Sequence, residues 1–410
     1  MPTSGDINGI AMADIADING VDVPSGGGVT ANALATTGVQ ICGVATNDFN
    51  SNIGVEFGRG AIDTTNSFTK IVCNDRAQLH ALKSDGTLWY NYPSSGTGST
   101  HFKPSAYTAD RTWRKYGSDT NWTDISGSNN AFGAIKDGDY WFLGYGAYRQ
   151  RGDGSSSSAS NWTEVNSAGN WTKVFLGYRT AFLINSSAEL YSTGYGYDYM
   201  SGQGTTSTIS TFAREQSSLT NVVEVSFGYR CAWIRLSNGS VHFTGFNGEN
   251  LAGPQITSTS DQNGPTLAVD HTSDYVCGKL GSFTRYGGCH IDTDTYLRFH
   301  GKGQYNYIRP DNQYGSNSNA QGSDAGLRLD SLGTGYTDYH GHNMSGGSDK
   351  SCFAIKSGEL SFGGSNASEL KSVLGLTADS SWEVMRSANA TTNCIAANRS
   401  SNLGHFVAAG

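Results

Sequence analysis

Asn170–Gly196 reads NWTKVFLGYRTAFLINSSAELYSTGYG, and this stretch decides the fold. A Trp-led run (Trp171 to Leu176) meets a Gly-aromatic turn at Gly177-Tyr178. A second run opens on the small residue Thr180, turns at a polar Asn-Ser-Ser, and gives way to a third run that ends on glycine. Short runs of β-branched and aromatic residues bounded by Gly, Asn and Ser are strands joined by tight turns. The unit is β throughout.

The unit recurs to the end of the chain. Its second and third strands are legible from Leu79, Ala131, Thr180, Cys231, Cys289, Cys352 and Cys394, which makes seven copies. Its first strand is clearest as NWTDI from Asn121, NWTKV from Asn170, NVVEV from Asn221 and SWEVM from Ser381. A period of roughly 40 to 60 residues built only of short strands and Gly-rich turns is that of propeller blades, because helical repeats need 3.6-residue patterning. Ser84-Asp85-Gly86, Lys136-Asp137-Gly138, Ser237-Asn238-Gly239 and Lys356-Ser357-Gly358 supply the positive φ that a tight hairpin requires.

The seventh copy stops at Gly410 after its third strand, so its outermost strand is expected from upstream, between Val39 and Asp63. Such a strand leaves no open sheet edge. The expected fold is an all-β, seven-bladed β-propeller closed by an N-terminal strand, with a short extended N-terminal arm. Residues 1–36 form the arm and its Gly-rich joint, and 37–410 the propeller, with 37–67 carrying the closing strand.

Composition narrows the function. A net charge of −8 with only 27 Lys and Arg, and no basic run, argues against a nucleic-acid surface, which needs clustered cations. No stretch is apolar enough to cross a bilayer as a helix, and Met1 is not followed by a basic region and an apolar core, so neither membrane insertion nor a cleaved secretory signal is expected. The seven cysteines contain no CxxC pair. Cys231, Cys289, Cys352 and Cys394 are read as opening the second strands of their copies, far apart around a ring, which makes them small core thiols. The arm carries Ile7, Ile10, Ile15, Ile18, Val21 and Val23 among small and acidic residues before Ser25-Gly26-Gly27-Gly28. That pattern fits a helix-like or extended docking peptide followed by a flexible joint, with a disordered tail as the alternative.

The pieces NWTKV…GYRTAFLI…AELYSTGYG and NVVEV…GYRCAWIR…NGSVHFTGFN resemble the repeat of the regulator of chromosome condensation family. The likeness spans residues 37 to 410 and implies the propeller fold. The family's turn histidine is missing from most copies, and its Gly-Gln-Leu-Gly loop survives only in traces such as Ser201-Gly202-Gln203-Gly204. No exchange-loop motif is matched, so nucleotide exchange is not implied. ADIADINGVDVPSGG in the arm resembles short Ile-Asn-Gly-Val motifs that begin bacteriophage virion proteins, especially fibre and tail-associated proteins of marine phages. This resemblance implies a virion subunit (fibre, whisker or tail- or neck-associated). It would be made in host cytoplasm, dock on other virion proteins through residues 1–36, be oligomeric in the particle, and present its propeller for host-surface recognition or packing.

No HExxH, Walker loop, GxSxG elbow or EF-hand spacing is present, and neither cofactor nor metal is expected. His290, Asp292 and Asp294 alternate as on one strand face, and His340 and His342 form a second pair. The first group reads better as polar residues of a solvated strand face, and the second, two ligands with no visible carboxylate partner, makes a poor site. The NWT sequons at Asn121, Asn161 and Asn170 are read as marking blade starts. An enzyme would need a convergent acid, base, nucleophile or metal set, and none is visible.

The loops after the third strands carry Tyr145 and Tyr148; Tyr195, Tyr197 and Tyr199; and Tyr305, Tyr307 and Tyr314, among Gly, Asn, Gln and Arg. Equivalent propeller loops share a face, so these tyrosines either form an amphipathic surface for a host glycan or protein, or wedge between blades. Tyr178-Arg179 and Tyr229-Arg230 recur at equivalent turns and are assigned to the fold. A free-standing carbohydrate- or protein-binding propeller outside any virus is the competing reading.

Overall fold

The computed structural model of the chain describes residues 6–7, 10–11, 68–73, 78–92, 114–128, 131–165, 170–177, 179–228, 230–248, 251–283, 287–301, 327–343, 350–357, 359–364, 382–387, 394–399 and 405–409. In the arm, β1 (Asp6–Ile7) pairs antiparallel with β2 (Ile10–Ala11). Ile15, Ile18, Val21, Val23 and the whole of 37–67, including the closing strand expected there, lie outside the described residues.

From Phe68 onward the chain is a succession of antiparallel meanders. The first is β3 (Phe68–Cys73), β4 (Leu79–Lys83), β5 (Leu88–Asn91) and β6 (Arg114–Lys115). The second is β7 (Trp122–Ser128), β8 (Ala131–Lys136), β9 (Asp139–Gly144) and β10 (Ala159–Val165). The third, β11 (Trp171–Leu176), β12 (Thr180–Asn185), β13 (Leu190–Gly194) and β14 (Ile209–Arg214), is the unit from which the repeat was read. A fourth comprises β15 (Val222–Gly228), β16 (Cys231–Leu236), β17 (Val241–Gly245) and β18 (Gln262–Val269). β19 (Cys277–Phe283), β20 (Gly287–Asp292), β21 (Leu297–Gly301) and β22 (Leu327–Arg328) follow. A single parallel bridge, Ser282 to His340, joins them to β23 (Tyr336–Asn343), β24 (Lys350–Lys356) and β25 (Glu359–Gly364). The last meander is β26 (Trp382–Ser387), β27 (Cys394–Arg399) and β28 (His405–Ala409).

First strands are neighbours in sequence order: β3 beside β7, β7 beside β11, β15 beside β19, β19 beside β23, and β23 beside β26. The third and fourth meanders meet through β12 and β15, and β26 returns to lie against β3. The chain therefore closes on itself as a ring of radial sheets, a β-propeller.

The cores lie between sheets. Val72, Leu82, Leu88 and Tyr90 of the first meander pack with Trp122, Ile125 and Phe132 of the second. Ile135, Tyr140 and Phe142 of the second pack with Trp171, Val174 and Leu183 of the third. This explains the Trp that leads the first strand, since it plugs the seam to the preceding blade. Replacing Trp171, 5% exposed, with Ala is expected to cost about 3–5 kcal/mol in urea unfolding, and an unchanged midpoint would show the seam misread.

One irregularity recurs in every first strand: the register shifts just after its first residue, between Phe68 and Lys70, Trp122 and Asp124, Trp171 and Lys173, Val222 and Glu224, Cys277 and Lys279, Tyr336 and Asp338, and Trp382 and Val384. A bulge re-aims the residue that follows it. That residue alternates as Lys70, Asp124, Lys173, Glu224, Lys279, Asp338, and the alternation joins blades. Lys70 Nζ donates to Asp124 Oδ1 at 2.8 Å, and Asp124 Oδ2 accepts from the Val174 amide at 2.9 Å. Lys173 Nζ donates to the Val223 carbonyl at 2.7 Å, and Glu224 Oε2 accepts from the Leu280 amide at 3.1 Å. Lys279 Nζ lies 3.0 Å from Asp338 Oδ1. The alternation ends at Val384, in the strand that returns to β3.

At the same end of the sheets, the turn between second and third strands holds the next blade. The carbonyls of Gly86, Gly138, Ala188, Gly239 and Thr295 accept from the amides of Trp122, Trp171, Val222, Cys277 and Tyr336 at 2.8–3.2 Å. All five acceptors have positive φ. Gly86 shows why glycine is favoured in this slot: at φ 75° a Cβ would sit 2.0 Å from the Thr120 carbonyl oxygen.

The cysteine reading needs one correction of position. Cys231 opens β16 and Cys394 opens β27, but Cys289 is the third residue of β20 and Cys352 the third of β24, because the second strands there begin earlier than the apolar run suggested. Cys231, Cys277 and Cys289 are buried, and burial pushes the Cys231 and Cys277 thiols up, away from reactive thiolate.

Candidate functional site: a tyrosine–arginine rim

In an antiparallel meander the turn from first to second strand and the loop after the third strand emerge at the same end. Topology thus brings Arg179 and Arg230, in the former, to the face that carries the tyrosines, in the latter.

Two of the described loops are built alike. Tyr145-Gly146 follows β9 and Tyr195-Gly196 follows β13. A Cβ on Gly146 would lie 2.0 Å from the Ser157 carbonyl oxygen, and one on Gly196 2.1 Å from that of Ser207, so each loop packs backbone to backbone against its own return leg. A one-turn 3-10 helix, Tyr197–Tyr199, follows Gly196. The Tyr195 amide donates to the Arg179 carbonyl at 2.9 Å, which ties loop to turn.

Contacts also run from blade to blade. Thr193 Oγ1 donates to the Arg149 carbonyl (3.1 Å) of the preceding loop and to Ile209 of its own sheet (2.8 Å). Thr244 Oγ1 does the same with Tyr199 (3.0 Å) and Gln262 (3.2 Å). Gln150, 2% exposed, donates from Nε2 to the Gly177 carbonyl at 3.1 Å, so the second meander's loop buttresses the third meander's arginine turn.

On this frame the side chains form one array. Tyr145 meets Tyr148 edge-on at 5.4 Å between centroids, Tyr148 lies 6.2 Å from Tyr195, and Tyr195 is 5.9 Å from Tyr197 with planes 13° apart. The Arg179 guanidinium sits 4.3 Å from the Tyr148 centroid and 5.4 Å from that of Tyr195. Arg230 sits 4.7 Å from the Tyr197 centroid and pairs with Asp198 at 2.9 Å. Burial raises the Asp198 carboxyl, and the Arg230 hydrogen bond and charge oppose that shift. Tyr145, Tyr148 and Tyr195 are half-buried and Tyr197 is 45% exposed, so the rings neither wedge fully into the seams nor stand free. Tyr199, also half-buried, contributes its carbonyl to the frame. Tyr305, Tyr307 and Tyr314 lie outside the described residues.

The arginine turns, assigned to the fold from sequence, belong to this rim. Tyr–Arg contact between residues 31 apart is invisible until ring neighbours are known. Gln150, Thr193 and Thr244 were not singled out at all; their only signal is the recurrence of Thr one residue before the glycine that ends β13 and β17.

The histidine reading is also revised. His290 and Asp292 are not on a solvated face: every residue of β20 is buried, since both faces of the strand are covered by neighbouring blades, and Asp294 lies beyond its end. Tyr275 Oη bridges His290 Nδ1 (3.2 Å) and His300 Nε2 (2.7 Å), while Asp292 pairs with Arg298 at 2.7 Å. In the first meander His80 Nε2 meets Tyr92 Oη at 2.9 Å. Burial lowers the pKa of His80 and His300 to about 3, and that of His290 well below its usual value. Among the described residues no group of three or more His, Cys, Asp or Glu is placed to hold a metal. No described helix is long and apolar enough to cross a membrane.

These observations define a β-propeller, and solved structures of that fold superpose on it. Human WBSCR16 aligns with TM-score 0.58 at 14% identity over 82% of this chain and 87% of its own. Prp20 of Saccharomyces cerevisiae, whose binding to Gsp1p and histones has been studied, aligns at 0.56 and 13% over 76% and 75%. Yeast RCC1 (Prp20) bound to Kap60 aligns at 0.56 and 12% over 76% and 70%. The expectation of a propeller like that of the regulator of chromosome condensation family is met at the level of fold. No protein-family model and no curated protein sequence matches the chain.

Proposed function

We propose that this chain is a non-catalytic recognition propeller of a bacteriophage virion. Its ring has seven blades, the last completed by residues 37–67; it docks on other virion proteins through residues 1–36 and reads its partner with the tyrosine–arginine rim. The observation that carries the recognition role is the array from Tyr145 through Tyr148 and Tyr195 to Tyr197, with Arg179 and Arg230 against its rings, held on one face by interblade hydrogen bonds. Tyr and Arg are the side chains that dominate recognition surfaces, because they offer large contact area with directed polar groups.

The virion assignment is supported by the Ile-Asn-Gly-Val stretch of the arm. Synthesis in host cytoplasm followed by work outside the cell suits the buried thiols of Cys231 and Cys277. The histidines support a non-catalytic ring, since His80, His290 and His300 are consumed inside blades by tyrosine hydroxyls. A second reading, a cellular carbohydrate- or protein-binding propeller, is favoured by the human and yeast origin of the structural neighbours, one of them bound to a partner protein.

Mass spectrometry of purified particles separates the two. The full chain is expected in the particle, and a chain lacking residues 1–30 is expected to be absent from it while keeping its melting temperature. Recovery of the full chain only as a soluble monomer, with none in particles, would leave the cellular reading.

A further inference from the structure

Resting on the recognition reading above, we infer that Asp198 is the positioning residue of the rim: tied to Arg230 of the next blade, it sets the pose in which Tyr197 meets a partner. The juxtaposition that points to it is a carboxylate, a guanidinium and an exposed ring meeting across one seam, in a turn that is left-handed at two successive residues without glycine.

The two tyrosine loops share one backbone in one register. Tyr145-Gly146-Ala147-Tyr148-Arg149-Gln150 matches Tyr195-Gly196-Tyr197-Asp198-Tyr199-Met200 position by position. The Arg149 and Tyr199 amides donate to the Gly146 and Gly196 carbonyls at 2.8 and 2.9 Å, and their own carbonyls accept from Gly152 and Gly202 at 3.1 and 2.9 Å. Arg149 and Tyr199 are both left-handed, at φ 63° and 61°, and Gln150 and Met200 are both buried. The loops part at two neighbouring positions. Where the first has Ala147, exposed, the second has Tyr197; where the first has Tyr148, the second has Asp198, left-handed at φ 54° as Tyr148 is not.

What each loop does with the next blade's arginine accounts for both changes. In the first, the ring of Tyr148 takes the Arg179 guanidinium, 4.3 Å from its centroid. In the second, the Asp198 carboxylate takes Arg230 at 2.9 Å, and the ring stands one position earlier, at Tyr197, 4.7 Å from the same guanidinium and stacked on Tyr195. The aromatic side chain is thereby moved from a half-buried slot to an exposed one. Asp tolerates a left-handed backbone, but Tyr199 beside it and Arg230 across the seam, at φ 67°, hold it only because their surroundings over-determine it. Those surroundings are Thr244 on the Tyr199 carbonyl, the Phe246 amide on the Arg230 carbonyl at 3.0 Å, and the ion pair, whose side chains are 15% and 32% exposed. Asp261 repels the Asp198 carboxylate while Arg230 attracts it, so the pair with Arg230 is what keeps the carboxylate in place. Strain held beside an exposed ring is pre-organisation of a contact.

The test uses Asp198→Gly, because glycine accepts the left-handed backbone at least as well as aspartate and removes only the carboxylate. A fluorinated tyrosine is placed at position 197 of the full chain and its fluorine resonance recorded. Asp198→Gly and Arg230→Gln are each expected to move that resonance to the same new position, and the double variant to move it no further, since the two residues act as one pair. The melting temperature should be retained; Asp198→Asn, which keeps an acceptor and the left-handed preference, is expected to shift the resonance less and serves if the glycine variant misfolds. A resonance unmoved by Asp198→Gly, or shifts that add in the double variant, would overturn the inference. Particles carrying Asp198→Gly are expected to adsorb to cells about threefold more slowly. Normal adsorption of these particles while Tyr148→Ala with Arg179→Ala adsorbs slowly would overturn the inference and leave the rim standing. Normal adsorption of both would bring down the recognition reading, and the inference with it.

Discussion

Acidification is expected to unfold this ring well before the pH at which ordinary carboxylates protonate. His80 and His300 are buried and neutral, with folded pKa values near 3 against about 6.5 in the unfolded chain. A lowered folded pKa means that the unfolded state binds the proton first. The stability that depends on these groups is complete above pH 6.5 and is lost progressively as pH falls from 6.5 toward 3. At pH 4.5 each has lost roughly 2.7 kcal/mol, which is 2 pH units at 1.36 kcal/mol per unit. His290, lowered by burial and 4.6 Å from His300 between ring centroids, acts in the same direction. Against a total stability of about 5–15 kcal/mol this is a large fraction. Urea midpoints measured from pH 7.5 to 4.5 should fall throughout the range below 6.5, and His80→Gln should reduce the slope by about one proton. A midpoint constant between pH 6.5 and 5 would contradict the placement of these histidines.

The second large effect is expected at Asp124, whose single carboxylate ties three blades together. It receives Lys70 from the first meander and the Val174 amide of the third, and it is 9% exposed. Asp124→Ala strands a partly buried ammonium, 21% exposed, and a buried amide; removing one partner of such a pair costs about 3–5 kcal/mol. Asp124→Asn keeps an acceptor for the amide and loses only the charge, so its cost should be smaller, about 1–3 kcal/mol. Chemical unfolding of the two variants decides this: equal, near-zero changes would show that the alternating Lys/acid pattern is decoration on the inner strands.

Much of the ring was legible in the sequence because its determinants are local. Trp122 and Trp171 do begin first strands, and the Gly86, Gly138 and Gly239 turns have the positive φ that Asp-Gly and Asn-Gly imply. Other features depend on packing that no single repeat contains. Ala188 and Thr295 occupy the same left-handed slot without glycine, held by the amide of the next blade. The alternation of Lys70, Asp124, Lys173, Glu224, Lys279 and Asp338 has a period of two repeats, about a hundred residues. Its side chains point where they do only because a bulge precedes each one. Period-two alternation around His290 suggests one wet face, whereas a mid-blade strand is covered on both.

The rim tyrosines were found from their loops, but their partners were not. Arg179 reaches Tyr148 across a seam, and Gln150 supports that turn from the neighbouring blade. Blade order, which only the ring supplies, converts three separate sequence motifs into one surface.

That this surface is what the propeller presents to its partner is tested most directly by adsorption of particles to susceptible cells. Three otherwise identical preparations are compared: the unaltered chain, a rim variant carrying Tyr148→Ala with Arg179→Ala, and a Val276→Ser variant at the other end of the sheets. The account predicts that the rim variant adsorbs at least tenfold more slowly, with the chain still present in the particle and its melting temperature retained, while Val276→Ser adsorbs normally. Equal adsorption by all three preparations would contradict it.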